Sequence, residues 1–163
     1  MIKQADENDI PAIEDILSDA VLWMRKNQIQ NQWTEESIKW SSLSKDYRID
    51  DFYIDFENGI HAGCMAVTDL DLKYWPQIPQ KQSLYIHKLA IKRMFAGKGI
   101  SRKLIDFAKN LALTNDINSL RLDCNQQRRK LTMLYENEGF KSVGSKSLGN
   151  DYHMALYVWR AHN

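Results

Sequence analysis

The spacing of apolar residues changes partway along the chain. In residues 6–27, DENDIPAIEDILSDAVLWMRKN, the apolar positions Ile10, Ile13, Leu17, Ala20/Val21 and Met24 recur every three or four residues. That is the period of an amphipathic helix. Asp6 or Asn8 can cap it, and Pro11 falls in the first turn, where a missing N–H does no harm. The stretch MIKQA ahead of it predicts a short strand. After a polar loop, NQIQNQW, the residues Thr34, Glu35, Glu36 and Ser37 predict a second helix over TEESIKWSSLSKD.

From residue 51 the period shortens to two. DFYIDFENGIHAGCMAVTDL predicts two strands joined at Asn58-Gly59, a hairpin-turn pair. DLKYWPQIPQKQS holds two of the three prolines and predicts a loop. LYIHKLAI is a strand. Ile100–Thr114 is a helix whose Ile100, Leu104, Phe107/Ala108 and Leu111 share one stripe. SLRLDCN is a strand, and RRKLTMLYENE is a short helix stopped by Gly139. FKSVGSKSL and HMALYVW close as a hairpin around GND. The order β-α-α-β-β-β-α-β-α-β-β predicts an α/β chain, a mixed sheet with helices packed on its faces. With no repeat or linker in 163 residues, a single domain over 1–163 is expected.

Composition narrows the function classes. A net charge of +1 argues against a nucleic-acid partner, which calls for a basic surplus. Cys64 and Cys124 form no disulfide framework and no metal-ligand pattern; both lie in apolar, strand-like runs and read as buried thiols. The polar N-terminal segment is not a signal peptide, and no apolar run reaches the ~20 residues of a membrane span, so a cytoplasmic location is expected.

The chain has seven glycines, and two of them, Gly97 and Gly99, flank Lys98 just ahead of the Ile100 helix. A helix N-terminus carries unpaired N–H groups and a positive dipole end. A side-chain-free loop before it lets an anion approach those groups, so AGKGIS reads as a phosphate cradle. Two known cradles fail. A Walker loop needs glycine where Lys92 stands and Ser or Thr where Gly99 stands, and a dinucleotide fingerprint needs glycine in place of Arg102.

The run LAI, then KRMF, then AGKGIS resembles motif A of the GCN5-related N-acetyltransferases, the GNAT superfamily, and LYENEGF (134–140) resembles that family's second motif. The resemblance covers essentially the whole chain. It implies the GNAT fold: a mixed, mostly antiparallel sheet of six or seven strands with about four helices. Three positions depart from the family pattern. Ala96 replaces the usual Arg or Gln, Ser101 the usual Gly or Ala, and Arg128 the usual Asn.

The resemblance further implies acetyl-CoA as donor and a primary amine, small-molecule or peptide, as acceptor. The pyrophosphate falls on the segment Ala96, Gly97, Lys98, Gly99, Ile100, Ser101 and Arg102. Leu89, Ala90 and Ile91 pair with the pantetheine arm, and an N–H near Leu89 polarises the thioester carbonyl. Asn125, Arg128 and Lys130 join the CoA-binding set, with QQRRK facing phosphates. Tyr135 is the general acid, a phenol with an unperturbed pKa near ~10. His87 is the first candidate for the base, because histidine titrates near neutrality, and strand alternation puts it on one face with Leu89. Asp123 is the reserve base, and Cys124 has no activator that would make it a nucleophile. Gln32, Trp33, Tyr74 and Trp75 wall the acceptor site. Pairing of the last two strands between subunits would give a homodimer. A non-catalytic acyl-CoA-binding module of the same fold is the rival reading.

Overall fold

Side-chain hydrogen bonds set where the elements begin. Ahead of the first helix, Asp6 Oδ1 accepts from the Asn8 N–H and Asp9 Oδ2 accepts from the Asp6 N–H, a reciprocal cap. In the computed structural model, which describes residues 1–162, the chain runs β1 (Ile2–Gln4), α1 (Ile10–Lys26), α2 (Trp40–Leu43), β2 (Phe52–Glu57) and β3 (Ile60–Thr68). It continues β4 (Leu84–Ile91), α3 (Ile100–Thr114), β5 (Ser119–Asn125), α4 (Arg129–Asn137), β6 (Lys141–Ser147) and β7 (His153–Arg160). This is the expected order. The strands form a seven-stranded mixed sheet, β1-β2-β3-β4-β5-β7-β6. β1–β2, β2–β3, β5–β7 and β6–β7 pair antiparallel, and β4–β5 pairs parallel through Leu84↔Leu120 and Tyr85↔Arg121. Among the described residues no helix is long and apolar enough to cross a membrane.

The second helix is the one element that differs. It covers only Trp40–Leu43, where a helix from Thr34 was expected. Thr34 and Ser37 bond each other instead: each backbone N–H donates to the other's hydroxyl, and the Ser37 hydroxyl donates to the Thr34 carbonyl. Such side-chain bonds offer the backbone a turn in place of a helix. The helix then starts where Glu14 Oε2 accepts from the Trp40 N–H at 2.7 Å.

Contacts group the chain into two compact units, Met1–Ala66 with Lys88–Leu104, and Val67–His87 with Ile105 onward. In the first, α1 buries Ile13, Ile16, Leu17 and Val21 with Phe52, Ile54, Cys64, Ala66 and Ala90. The start of α3 is tied down by Lys103, whose Nζ lies 2.6 Å from Asp55 Oδ1 and 2.9 Å from Glu57 Oε2. Gly63 on β3 leaves the space that β4 and α3 fill. A Cβ there would sit 2.6 Å from Ile91 Cδ1, 3.0 Å from the Ala90 carbonyl oxygen and 3.2 Å from Ile100 Cγ2. Because one neighbour is backbone, Gly63→Ala is expected to cost about 1–3 kcal/mol. Chemical denaturation measures this, and an unchanged midpoint would show that the strand end is not tightly packed.

In the second unit the segment between β3 and β4 turns inward. Asp71 Oδ1 accepts from the Lys73 and Tyr74 N–H groups, and Tyr74 and Trp75 then join Tyr85, Tyr152, Met154 and Val158 in a second core. Both cysteines are buried and free, as expected.

Candidate active site

The glycine loop follows a turn, Arg93–Phe95, that α1 holds in place. Asp15 Oδ2 takes both Lys92 Nζ and His61 Nε2 at 2.7 Å, and those two partners, Lys92 first, hold its carboxyl below the usual range. Asp19 Oδ2 accepts from the Arg93 N–H at 2.8 Å, and the Arg93 guanidinium lies 4.0 Å from the Trp23 ring centre. Phe95 is buried and lies under the Lys98 ammonium at 5.4 Å. Gly97 and Gly99 have φ of 76° and 79°, and a Cβ on either would meet nothing within 4 Å. Glycine is therefore required by the left-handed backbone and not by crowding. Gly99 closes the first helical bond, accepting from Lys103 N. The N–H groups of the first turn, Ile100–Arg102, have no carbonyl within the helix to bond. Ala96–Gly99 and Arg102 are exposed, Ser101 is half-buried and Ile100 is buried.

At the end of β4, Leu89 and Ile91 are half-buried and Ala90 is buried. Lys88 has φ of 53° in mid-strand. That left-handed residue interrupts the alternation by which His87 and Leu89 were expected to share a face. The Lys88 ammonium sits 5.0 Å from the Trp33 ring centre, so Trp33 faces a cation of its own chain. Trp33 packs on the first core, its N–H held by Asn31 Oδ1, and Gln32 is exposed.

In the second unit, His87 stacks on Tyr85 with ring centres 6.5 Å apart. Its Nε2 lies 3.1 Å from Thr68 Oγ1, which is also within reach of the Leu70 carbonyl. Which of the two donates depends on the tautomer of the ring. Asp71, His87 and Asp123 bring ligand atoms within 4.8 Å of one another, close enough to converge on one cation. Tyr135, on α4, is buried against Phe140 and Tyr157. Burial foremost, then the Cys124 thiol and Asp123, push its phenol above the usual range, with Arg128 opposing. Burial likewise pushes the Cys124 thiol up to about 12, which leaves it un-ionised.

Asn125 is buried; its Oδ1 accepts from Gln127 N and its carbonyl from Arg128 N, turning β5 into α4. Arg128 caps α4, and Arg129 and Lys130 fill a first turn that has no acidic residue. Arg128, Arg129 and Lys130 thus add positive charge at a helix N-terminus, an end that favours anions. Tyr74 and Trp75 are not the open walls that were expected. They are 9% and 3% exposed, set in the second core by the Asp71 turn, with Lys73 and Lys146 beside the Tyr74 ring and Arg121 beside Trp75.

A family profile described as Acetyltransferase (GNAT) domain matches residues 27–158. The chain belongs to the GNAT acetyltransferase family. An uncharacterized N-acetyltransferase of Bacillus subtilis (strain 168), YesJ, is 27% identical over 138 residues, 76% of each protein. A GNAT-family acetyltransferase from Listeria monocytogenes 4b F2365 superposes with a TM-score of 0.76 at 24% identity, over 98% of this chain and 94% of that one. N-acetylglutamate synthase from Neisseria gonorrhoeae, complexed with coenzyme A and N-acetyl-glutamate, gives 0.67 at 19% identity, over 100% of this chain and 35% of that one. Family and relatives support N-acetyltransferase activity in general.

Within this GNAT chain, sequence reasoning missed Asp71 and Thr68 as neighbours of His87. Nothing in the sequence signals either: Asp71 stands 16 positions away, and Thr68 lies on a different strand.

Proposed function

We propose that this GNAT chain, read as one catalytic domain, is an acetyl-CoA-dependent N-acetyltransferase in which a primary amine attacks the donor directly. The observation that carries the reading is Tyr135: a buried phenol on α4 whose surroundings, burial foremost, keep it protonated. The fit of coenzyme A is supported by the left-handed glycine loop ahead of α3 and the cationic first turn of α4, and by the fold's occurrence with coenzyme A in the Neisseria synthase.

Acetyl-CoA supplies an activated thioester. The chain's own groups do the rest. The amides of Gly97–Arg102 hold the diphosphate, Leu89–Ile91 pair with the pantetheine arm, and the Leu89 N–H stabilises the developing oxyanion. The acceptor arrives mostly as ammonium. Asp71 and Asp123 favour that cation near His87, and the His87 imidazole takes its proton, directly or through one water. As the amine nitrogen bonds to the carbonyl carbon, the C–S bond breaks and Tyr135 gives its phenolic proton to the leaving thiolate. Acceptors are small-molecule or peptide amines. Self-pairing through β6, exposed along its whole length at the sheet edge, would form a homodimer.

His87→Ala is expected to lower turnover about a hundredfold near neutral pH and to flatten the rise of rate with pH. A pH–rate profile with one amine measures both. An unchanged profile would remove His87 as the base and leave Asp123 in that role.

A further inference from the structure

Three buried polar atoms in the second unit have no partner: Trp75 Nε1, Tyr85 Oη and Arg121 Nε. Their residues are 3%, 0% and 6% exposed. They lie together. Tyr85 and Arg121 are register partners on β4 and β5, and the Arg121 guanidinium carbon is 5.3 Å from the Trp75 ring centre. Arg121 donates from Nη1 to Ser119 Oγ at 3.0 Å, and among the described residues no carboxylate pairs with it. Burial lowers its pKa, with Tyr85 opposing. Burial foremost raises the pKa of the Tyr85 phenol, with Arg121 opposing and Asp71 and Asp69 adding to the rise.

All three atoms are donors, or can donate. Burying each without an acceptor is unfavourable. One water offers two acceptor lone pairs and no charge, which falls short of three donors beside an unpaired cation. A carboxylate offers two oxygens and the missing negative charge. We propose that Arg121, Tyr85 and Trp75 form a binding site for a carboxylate group, carried by the acceptor amine.

The position of the site argues for the acceptor as its source. One alternation further along the same face stand His87, stacked on Tyr85, and Asp123, with Asp71 beside them. The face therefore has a cationic donor pole and an acidic pole two residues apart along each strand, a separation of about 7 Å. Such a strip complements a compound bearing both an ammonium and a carboxylate. Trp75 closes the site, so occupancy requires its ring to move. The acceptor half of this proposal rests on the acetyl-transfer reading; the carboxylate half does not.

Tyr85→Phe separates the outcomes, because the hydroxyl it removes has no partner and its loss leaves folding intact. Acetate titrated calorimetrically into the protein without coenzyme A, against a chloride control, is expected to bind one to one and about tenfold more weakly to Tyr85→Phe. In acetyl-transfer assays, phenylalanine is expected to be preferred over 2-phenylethylamine, and leucine over isopentylamine, by at least about tenfold, a preference that Tyr85→Phe erases. Acetate that binds no better than chloride, or equally to both proteins, would overturn the site. Acetate binding sensitive to Tyr85→Phe with no preference within the amine pairs would overturn the acceptor assignment and give the site to a free carboxylate. Failure of acetyl-CoA itself to bind would strike the transfer reading and leave the acetate result standing.

Discussion

Gly99→Glu is expected to abolish coenzyme A binding. Two effects act together. Gly99 sits at φ of 79°, and its carbonyl closes the first turn of α3 by accepting from Lys103 N. An L-residue held there costs about 1–2 kcal/mol, or else shifts the loop and misaims the helix N–H groups. The new carboxylate also stands where the diphosphate is to lie, against a pole that favours anions. Together these exceed about 3 kcal/mol, more than a hundredfold in affinity. Gly99→Asn is the control. Asparagine tolerates the left-handed region and adds no charge, so it is expected to retain most of the affinity. Retained binding by Gly99→Glu would remove the cradle from the account, whatever the asparagine variant does.

Tyr135→Phe carries the second large effect, and it falls on turnover. Removing the hydroxyl leaves the ring packed against Phe140 and Tyr157 and is expected to cost little stability. Coenzyme A affinity is expected to stay within about twofold, because the proposed diphosphate contacts do not include Tyr135. The rate constant for transfer is expected to fall about 10²–10⁴-fold, the usual worth of a positioned acid. Equilibrium binding and single-turnover rates on the same samples separate the two. A variant that turns over at the parent rate would show that the phenol only fills space.

Much of this was legible in the sequence because several local signals agreed. β4 and β5 cover the apolar runs that predict them, and α3 begins directly after Gly99. The Asn58-Gly59 turn is built from φ of 51° and 78°, as its residues require. What escaped came from side chains competing with the backbone, or from pairing across sequence distance. Thr34 and Ser37 carry the residues of a helix start and spend them on each other. Lys88 adopts φ of 53° although no glycine, asparagine or proline marks the place. Tyr74 and Trp75 look like surface aromatics in a proline-bearing loop, yet the Asp71 turn folds them into a core. Arg121 sits in a strand whose pattern says nothing about where its charge goes.

The central claim is that this chain binds acetyl-CoA and transfers its acetyl group to an amine. Calorimetric titration of acetyl-CoA into the purified protein, followed by a panel of amines in the same cell, tests it most directly. The account predicts one-to-one binding and a heat of turnover when an amine of the right class is added. An absence of acetyl-CoA binding by a folded sample would contradict it.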